Sequence, residues 1–123
     1  MNSNGNVVYN DNNITITVTK NTTSSSSTVC STNKPIDLTD YSKLTVNIID
    51  NNSTAGYGLT LFVSKNKVTT YEGHHATTAR AAAETIGENT LDISGLTGEY
   101  YIGLYTGWTN PFTATLNQIK LWN

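Results

Sequence analysis

The stretch from Thr90 to Trp108 reads T-L-D-I-S-G-L-T-G-E-Y-Y-I-G-L-Y-T-G-W. Leu91 and Ile93 alternate with polar neighbours, and Ser94-Gly95 and Thr97-Gly98 interrupt the alternation. It then resumes, with Tyr100, Ile102 and Leu104 on one parity and Tyr101, Gly103 and Tyr105 on the other. A period of two on both sides of a turn places successive side chains on opposite faces, so each run is a strand that buries one side. The stretch therefore predicts a central hairpin or crossover of an all-β domain.

The same period runs outward in both directions. Towards the N-terminus, Tyr57, Leu59, Leu61 and Val63 share one parity, as do Leu44, Val46 and Ile48, and Ile14, Ile16 and Val18 alternate with threonines. Val7 to Tyr9, Thr28 to Asn33 and Val68 to Tyr71 read as shorter strands, with turns at Asn10 to Asn13, Asp50 to Ser53 and Ser64 to Lys67. Lys20 to Ser27 is polar and of low complexity, with no apolar face to bury, and reads as a loop. Thr77 to Thr85 holds Ala81-Ala82-Ala83, which favours helix by intrinsic propensity. An isolated helix of about ten residues is marginal in water, and every neighbour has a period of two, so a strand is predicted there. Leu116 lies on the parity opposite to Ile119 and Leu121, and a β-bulge near Asn117-Gln118 would reconcile them. Some eight to ten strands with no amphipathic helix to cover a parallel sheet point to an antiparallel β-sandwich. Ile16, Val46, Leu61, Ile93, Ile102 and Ile119 are the expected core.

At 123 residues the chain is sized for one domain, residues 1–123. Charged residues make up 13% of it, about half the usual share, while Thr, Ser and Asn supply two-fifths. The surface is therefore neutral and rich in hydroxyl and amide groups. A net charge of −2 without a Lys/Arg cluster argues against nucleic acid, whose backbone needs several cations on one face. Met1 to Asn6 is polar, and no run approaches the length of a membrane span, so neither an export signal nor membrane insertion is expected of these residues. Cys30 is the only cysteine, which rules out an intramolecular disulfide and leaves an inert small residue as the expected role.

Three segments carry a family resemblance: I-D-L-T-D-Y-S-K-L-T-V at Ile36 to Val46, T-L-D-I-S-G-L-T-G-E-Y-Y-I-G-L at Thr90 to Leu104, and L-N-Q-I-K-L-W at Leu116 to Trp122. Together they resemble jelly-roll domains of the galactose-binding and carbohydrate-binding-module type, as appended to tail and baseplate proteins of phages that infect Gram-positive bacteria. The resemblance implies a jelly-roll β-sandwich located in a virion tail or outside the cell, with a groove or loop-rim site for cell-surface polysaccharide. The N-terminal acidic residues that hold a structural calcium in such modules have no counterpart, since Val7 to Thr19 carries only Asp11. No metal or other cofactor is expected.

A sugar ring presents an apolar C–H face and a rim of hydroxyls, so a binder needs an exposed aromatic platform beside amide, carboxylate or guanidinium groups. Tyr101, Tyr105 and Trp108, with Asn110 beside them, are the candidate platform, because Tyr101 and Tyr105 lie on the parity away from the core. Tyr71, His74, His75 and Arg80 form the densest polar cluster and the candidate opposing wall. Adjacent histidines on a strand face opposite ways, which weighs against a metal there. Glu72, Glu84, Glu88 and Glu99 are scattered without a motif that pairs two of them, and no G-x-S-x-G elbow is present, so no enzyme activity is expected. Two functions follow from this reading. The first is a noncatalytic module that binds cell-surface glycan. The second is a structural or oligomerisation module of a virion or surface protein, a homo-oligomer within a fibre or baseplate, whose aromatics pack a second layer or a subunit contact.

Overall fold

Threonine, valine and isoleucine alternating over short spans, broken by Asn, Gly and Ser, leave the backbone little choice but extended segments joined by turns. The computed structural model describes residues 5–10, 12–19, 29–52, 59–68, 77–106 and 111–123, and its regular elements are all strands. They are β1 (Gly5–Asn10), β2 (Asn13–Val18), β3 (Val29–Ser31), β4 (Ile36–Asp37), β5 (Lys43–Asn51), β6 (Leu59–Ser64), β7 (Ala79–Ala82), β8 (Gly87–Asp92), β9 (Glu99–Thr106) and β10 (Phe112–Trp122). The alanine run at Ala79–Ala82 is extended, paired in register with Thr60 to Val63. Pairing to β6 outweighs the modest helix preference of four residues. The loop expected at Lys20 to Ser27 lies outside the described residues. So does all of the short strand expected at Val68 to Tyr71 except Val68, which is itself not in a strand.

The strands form two antiparallel sheets packed face to face. The first has the order β1-β2-β10-β5-β8, and the second the order β3-β9-β6-β7, with β4 also pairing β9. The chain alternates between them: β5 is in the first sheet, β6 and β7 in the second, β8 in the first, β9 in the second and β10 back in the first. Of the two outcomes open for Thr90 to Trp108, the structure takes the crossover. Leu91 pairs Leu44 in the first sheet, whereas Leu104 pairs Leu61 in the second.

Two of the sheet-to-sheet crossings share one hydrogen-bonding pattern. In β4 to β5, Asp37 Oδ1 accepts the Thr39 N–H at 3.0 Å and the Thr39 hydroxyl at 2.6 Å, and the Tyr41 N–H returns to the Leu38 carbonyl. In β8 to β9, Asp92 Oδ1 accepts the Ser94 N–H at 2.9 Å and its hydroxyl at 2.7 Å, and the Leu96 N–H returns to the Ile93 carbonyl. The sequences I-D-L-T and L-D-I-S thus encode one device: an apolar anchor before the aspartate, a buried one after it, and a hydroxyl that closes the turn. Gly95 sits at φ 84°, which the second turn requires at its third position. The turns are also laced together. The Leu38 N–H donates to the Gly98 carbonyl, the Gly98 N–H to Thr39 Oγ1, and the Ile93 N–H to the Ser42 carbonyl.

Between the sheets lies one core, to which Ile16, Val18, Leu44, Val46, Ile48, Leu59, Leu61, Val63, Leu91, Ile93, Ile102 and Leu104 contribute. Five of the six residues expected there are buried. Ile119 is the exception, at 40% exposed. The expected bulge is present: the β10–β5 register shifts between Asn117 and Lys120, and Gln118 takes φ 52°. After it Leu121 pairs Leu44 on the inner side, as the parity argument requires. The miss has a different cause. β2 stops pairing at Ile14 opposite Leu116, so the last residues of β10 have a partner on one side only, and Ile119 lies at an opening rather than under a cover.

Candidate functional site

Five of the eight residues expected at a site (Tyr71, His74, His75, Trp108 and Asn110) lie outside the described residues. Their anchors are described. Thr78 is tied to Val63, whose partner Ile102 is the fourth of the eight residues of β9, and Thr106 is the last. At about 3.3 Å per residue, Ile102 and Thr106 are roughly 13 Å apart along the strand. The remaining three residues all belong to the outer face of the second sheet. Arg80 is exposed opposite Phe62, Tyr101 is half-buried opposite Ser64, and Tyr105 pairs Thr60.

The expectation that Tyr105 is an exposed platform is overturned. Tyr105 is 5% exposed and packs with Phe62 and Val68 in a second, smaller apolar cluster on the outer side of β6 and β9. The two rings lie 5.5 Å apart and tilted by 43°, the offset geometry that aromatic pairs favour. Gly103 makes this layer possible. A Cβ there would meet the Cys30 carbonyl oxygen and two atoms of the Phe62 ring, at 2.6 and 2.8 Å, so the bare glycine backbone is what lets Phe62 lie over β9. Parity had placed Tyr105 correctly away from the main core, but this outer face is itself covered.

The outer face of the first sheet presents a different surface. Cross-strand pairs bring Trp122 beside Lys43, Lys120 beside Thr45, and Asn117 beside Asn47. Trp122 is 38% exposed, and its Nε1–H donates to the buried Thr45 Oγ1 at 2.8 Å. Because Thr45 belongs to the pair before Trp122's own, this bond turns the indole back towards the Thr45–Lys120 pair. The ammonium groups of Lys43 and Lys120 lie 5.0 and 5.7 Å from a ring centroid of the indole, within cation–π reach. One step further along, the Asn47 amide donates to Asn117 Oδ1 at 2.9 Å and the Asn117 amide donates to Asn13 Oδ1 at 3.3 Å, an amide row across three strands. Thr15 and Thr115 continue the polar face with hydroxyls 3.3 Å apart, and Glu88 and Thr90 extend it onto β8. Sequence reasoning missed this site. Lys120 and Trp122 do share a parity beyond the bulge, but that Lys43 and Thr45 stand opposite them is a matter of register.

A third feature is a cleft of about 360 Å³ between the unpaired side of β10's last residues and the inner faces of β3, β4 and β9. Ile14, Ile36, Ile102, Leu104, Ile119 and Leu121 line it, with Tyr9 and Thr32 among its polar residues. Cys30 is in its wall, where burial pushes the thiol up to about 11, so it is neutral at physiological pH. Among the described residues no His, Cys, Asp and Glu cluster could hold a metal ion, and Glu84, Glu88 and Glu99 are exposed on three different parts of the chain. No described helix is long and apolar enough to cross a membrane. No protein-family model, curated protein or solved structure matches the chain.

Proposed function

We propose that the chain is a noncatalytic carbohydrate-binding module that recognises cell-surface polysaccharide through the outer face of its first sheet. The observation that carries this reading is the indole of Trp122, hydrogen-bonded to Thr45, with Lys43 and Lys120 over its ring and the Asn13–Asn117–Asn47 row beside it. The Lys43 and Lys120 ammonium groups stand over the indole, so the C–H face of a pyranose takes their place on the ring as these two flexible, exposed-end side chains swing aside. The ammonium and amide groups around it match the hydroxyl rim. The strand order supports the jelly-roll reading, because β2-β10-β5-β8 faces β3-β9-β6-β7 and the chain changes sheet at every step from β4 onward except β6 to β7. A virion tail or a secreted bacterial protein is the setting that the family resemblance suggests.

The test is sedimentation with purified cell-wall polysaccharides from Gram-positive bacteria, followed by calorimetry on those that bind. Trp122→Ala should lose at least tenfold in affinity while the far-UV circular dichroism spectrum stays that of the parent. Paired Asn47→Ala and Asn117→Ala changes, which leave the indole in place, should also weaken binding. Full binding by a folded Trp122→Ala protein would sink the proposal.

The oligomerisation reading keeps one observation in its favour. β1 is an edge strand of six residues with Val8 and Tyr9 exposed and neither Lys nor Pro to discourage pairing with another edge. Light scattering separates the two readings: a monomer that binds polysaccharide supports recognition, and a stable oligomer that binds none supports assembly.

A further inference from the structure

We propose that the cleft between β10 and the β3–β4–β9 side of the sandwich is a binding site for a small uncharged aliphatic molecule bearing one hydrogen-bonding group. The site exists because β10 outlasts its neighbour. Past Leu116 it has no partner on the β2 side, and the bulge at Gln118 returns Leu121 to the inner side. Opposite, β3 pairs only Gly103 to Tyr105 and β4 only Glu99 and Tyr100, so that side is not closed by a continuous strand.

The chemistry of the occupant follows from the lining. Six branched aliphatic side chains form its apolar wall, and no charged side chain is among the lining residues. An ion placed there would lose its hydration with no charged side chain among the described lining residues to pair it. The Cys30 thiol, held neutral by its burial, adds no charge of its own. At about 360 Å³ the cleft falls within the range of small-ligand pockets, roughly 300 to 1,000 Å³. Apolar cavities of about 150 Å³ already stay dry and admit a benzene ring.

The polar group of the ligand has partners. Thr32 Oγ1 accepts the Ile102 N–H at 3.2 Å, which leaves its own O–H to donate, and the hydroxyl of the largely exposed Tyr9, which also lines the cleft, is a second.

The experiment titrates the 123-residue chain with 1-octanol and, in a second arm, with octanoate, following isoleucine and leucine methyl resonances by NMR. Octanol should shift the methyls of Ile102, Ile119 and Leu121 saturably, and octanoate at pH 7 should bind at least tenfold more weakly. Ile119→Trp places a ring at the mouth, where the native residue is already 40% exposed. It should cut octanol affinity at least tenfold with the thermal midpoint unchanged. Leu121→Phe, which fills the cleft from β10, should do the same. The proposal is overturned by shifts that do not saturate, by shifts confined to other methyls, by octanoate binding as well as octanol, or by undiminished binding in both folded variants. Trp122 and the amide row take no part in this test, so its outcome and that of the polysaccharide experiment are independent.

Discussion

Gly103 shows how much one missing atom can set. Its bare backbone lets the Phe62 ring settle over β9, and Phe62 in turn covers Tyr105. Phe62 is fully buried, although its alternation with Leu61 and Val63 points it away from the main core. A methyl group at position 103 would collide with the ring on one side and the Cys30 carbonyl on the other, and backbone cannot yield as a side-chain tip can. Gly103→Ala should therefore destabilise the fold by about 1 to 3 kcal/mol, the usual cost of overpacking. Urea unfolding is the measurement, and a midpoint equal to the parent's would mean that Phe62 has another place to go. The same residue explains why Tyr105 is no platform: tyrosine and tryptophan parity says which side of a sheet a ring leaves from, and only packing says whether that side is open.

At the scale of elements, the paired crossover turns make a prediction about acid. Both aspartates are held below the ordinary carboxylate range, first by the hydroxyl and then by the amide of the residue two places on. A carboxyl whose pKa is depressed in the folded chain binds fewer protons there than in the unfolded chain. Its contribution is thus complete above the unfolded value and is lost as pH falls through the folded one. Replacing Asp37 and Asp92 together by Asn should lower the urea midpoint at pH 7, and the gap to the parent should narrow steadily as the pH is brought below the carboxylate range. A gap that stays constant with pH would assign the effect to the altered turn geometry rather than to charge. Because Thr39 also accepts the Gly98 N–H, loosening one turn should be felt by the other, and the two single changes should not be additive.

For the molecule as a whole, the last strand is central. β10 lies between β2 and β5, and its Thr115 meets Thr15 across 100 residues of sequence. The first sheet therefore cannot be completed until the final segment arrives, which is the topology of a slow folder. A chain ending at Pro111 would leave the inner sides of β2 and β5 without their shared partner and strip Phe112, Ala114 and Leu116 from the core. Such a chain should show no cooperative thermal transition by circular dichroism. A cooperative transition in the shortened chain would show that β2 and β5 can close on each other without β10.

Strand positions, the bulge near Gln118 and the inward side of nearly every strand could be read from the sequence, because a period of two is a local property that neighbouring residues carry together. The strand at Ala79–Ala82 was legible too, but only through its surroundings. Tertiary structure decided the rest: that Thr90 to Trp108 passes from one sheet to the other, that the outer face beside Tyr105 is covered, that Ile119 looks inward yet stays exposed, and that Lys43 and Thr45 stand beside Trp122. Each of these depends on which strand is neighbour to which and at what register. Those pairings join residues tens of positions apart, and nothing in the alternation along a single strand encodes them.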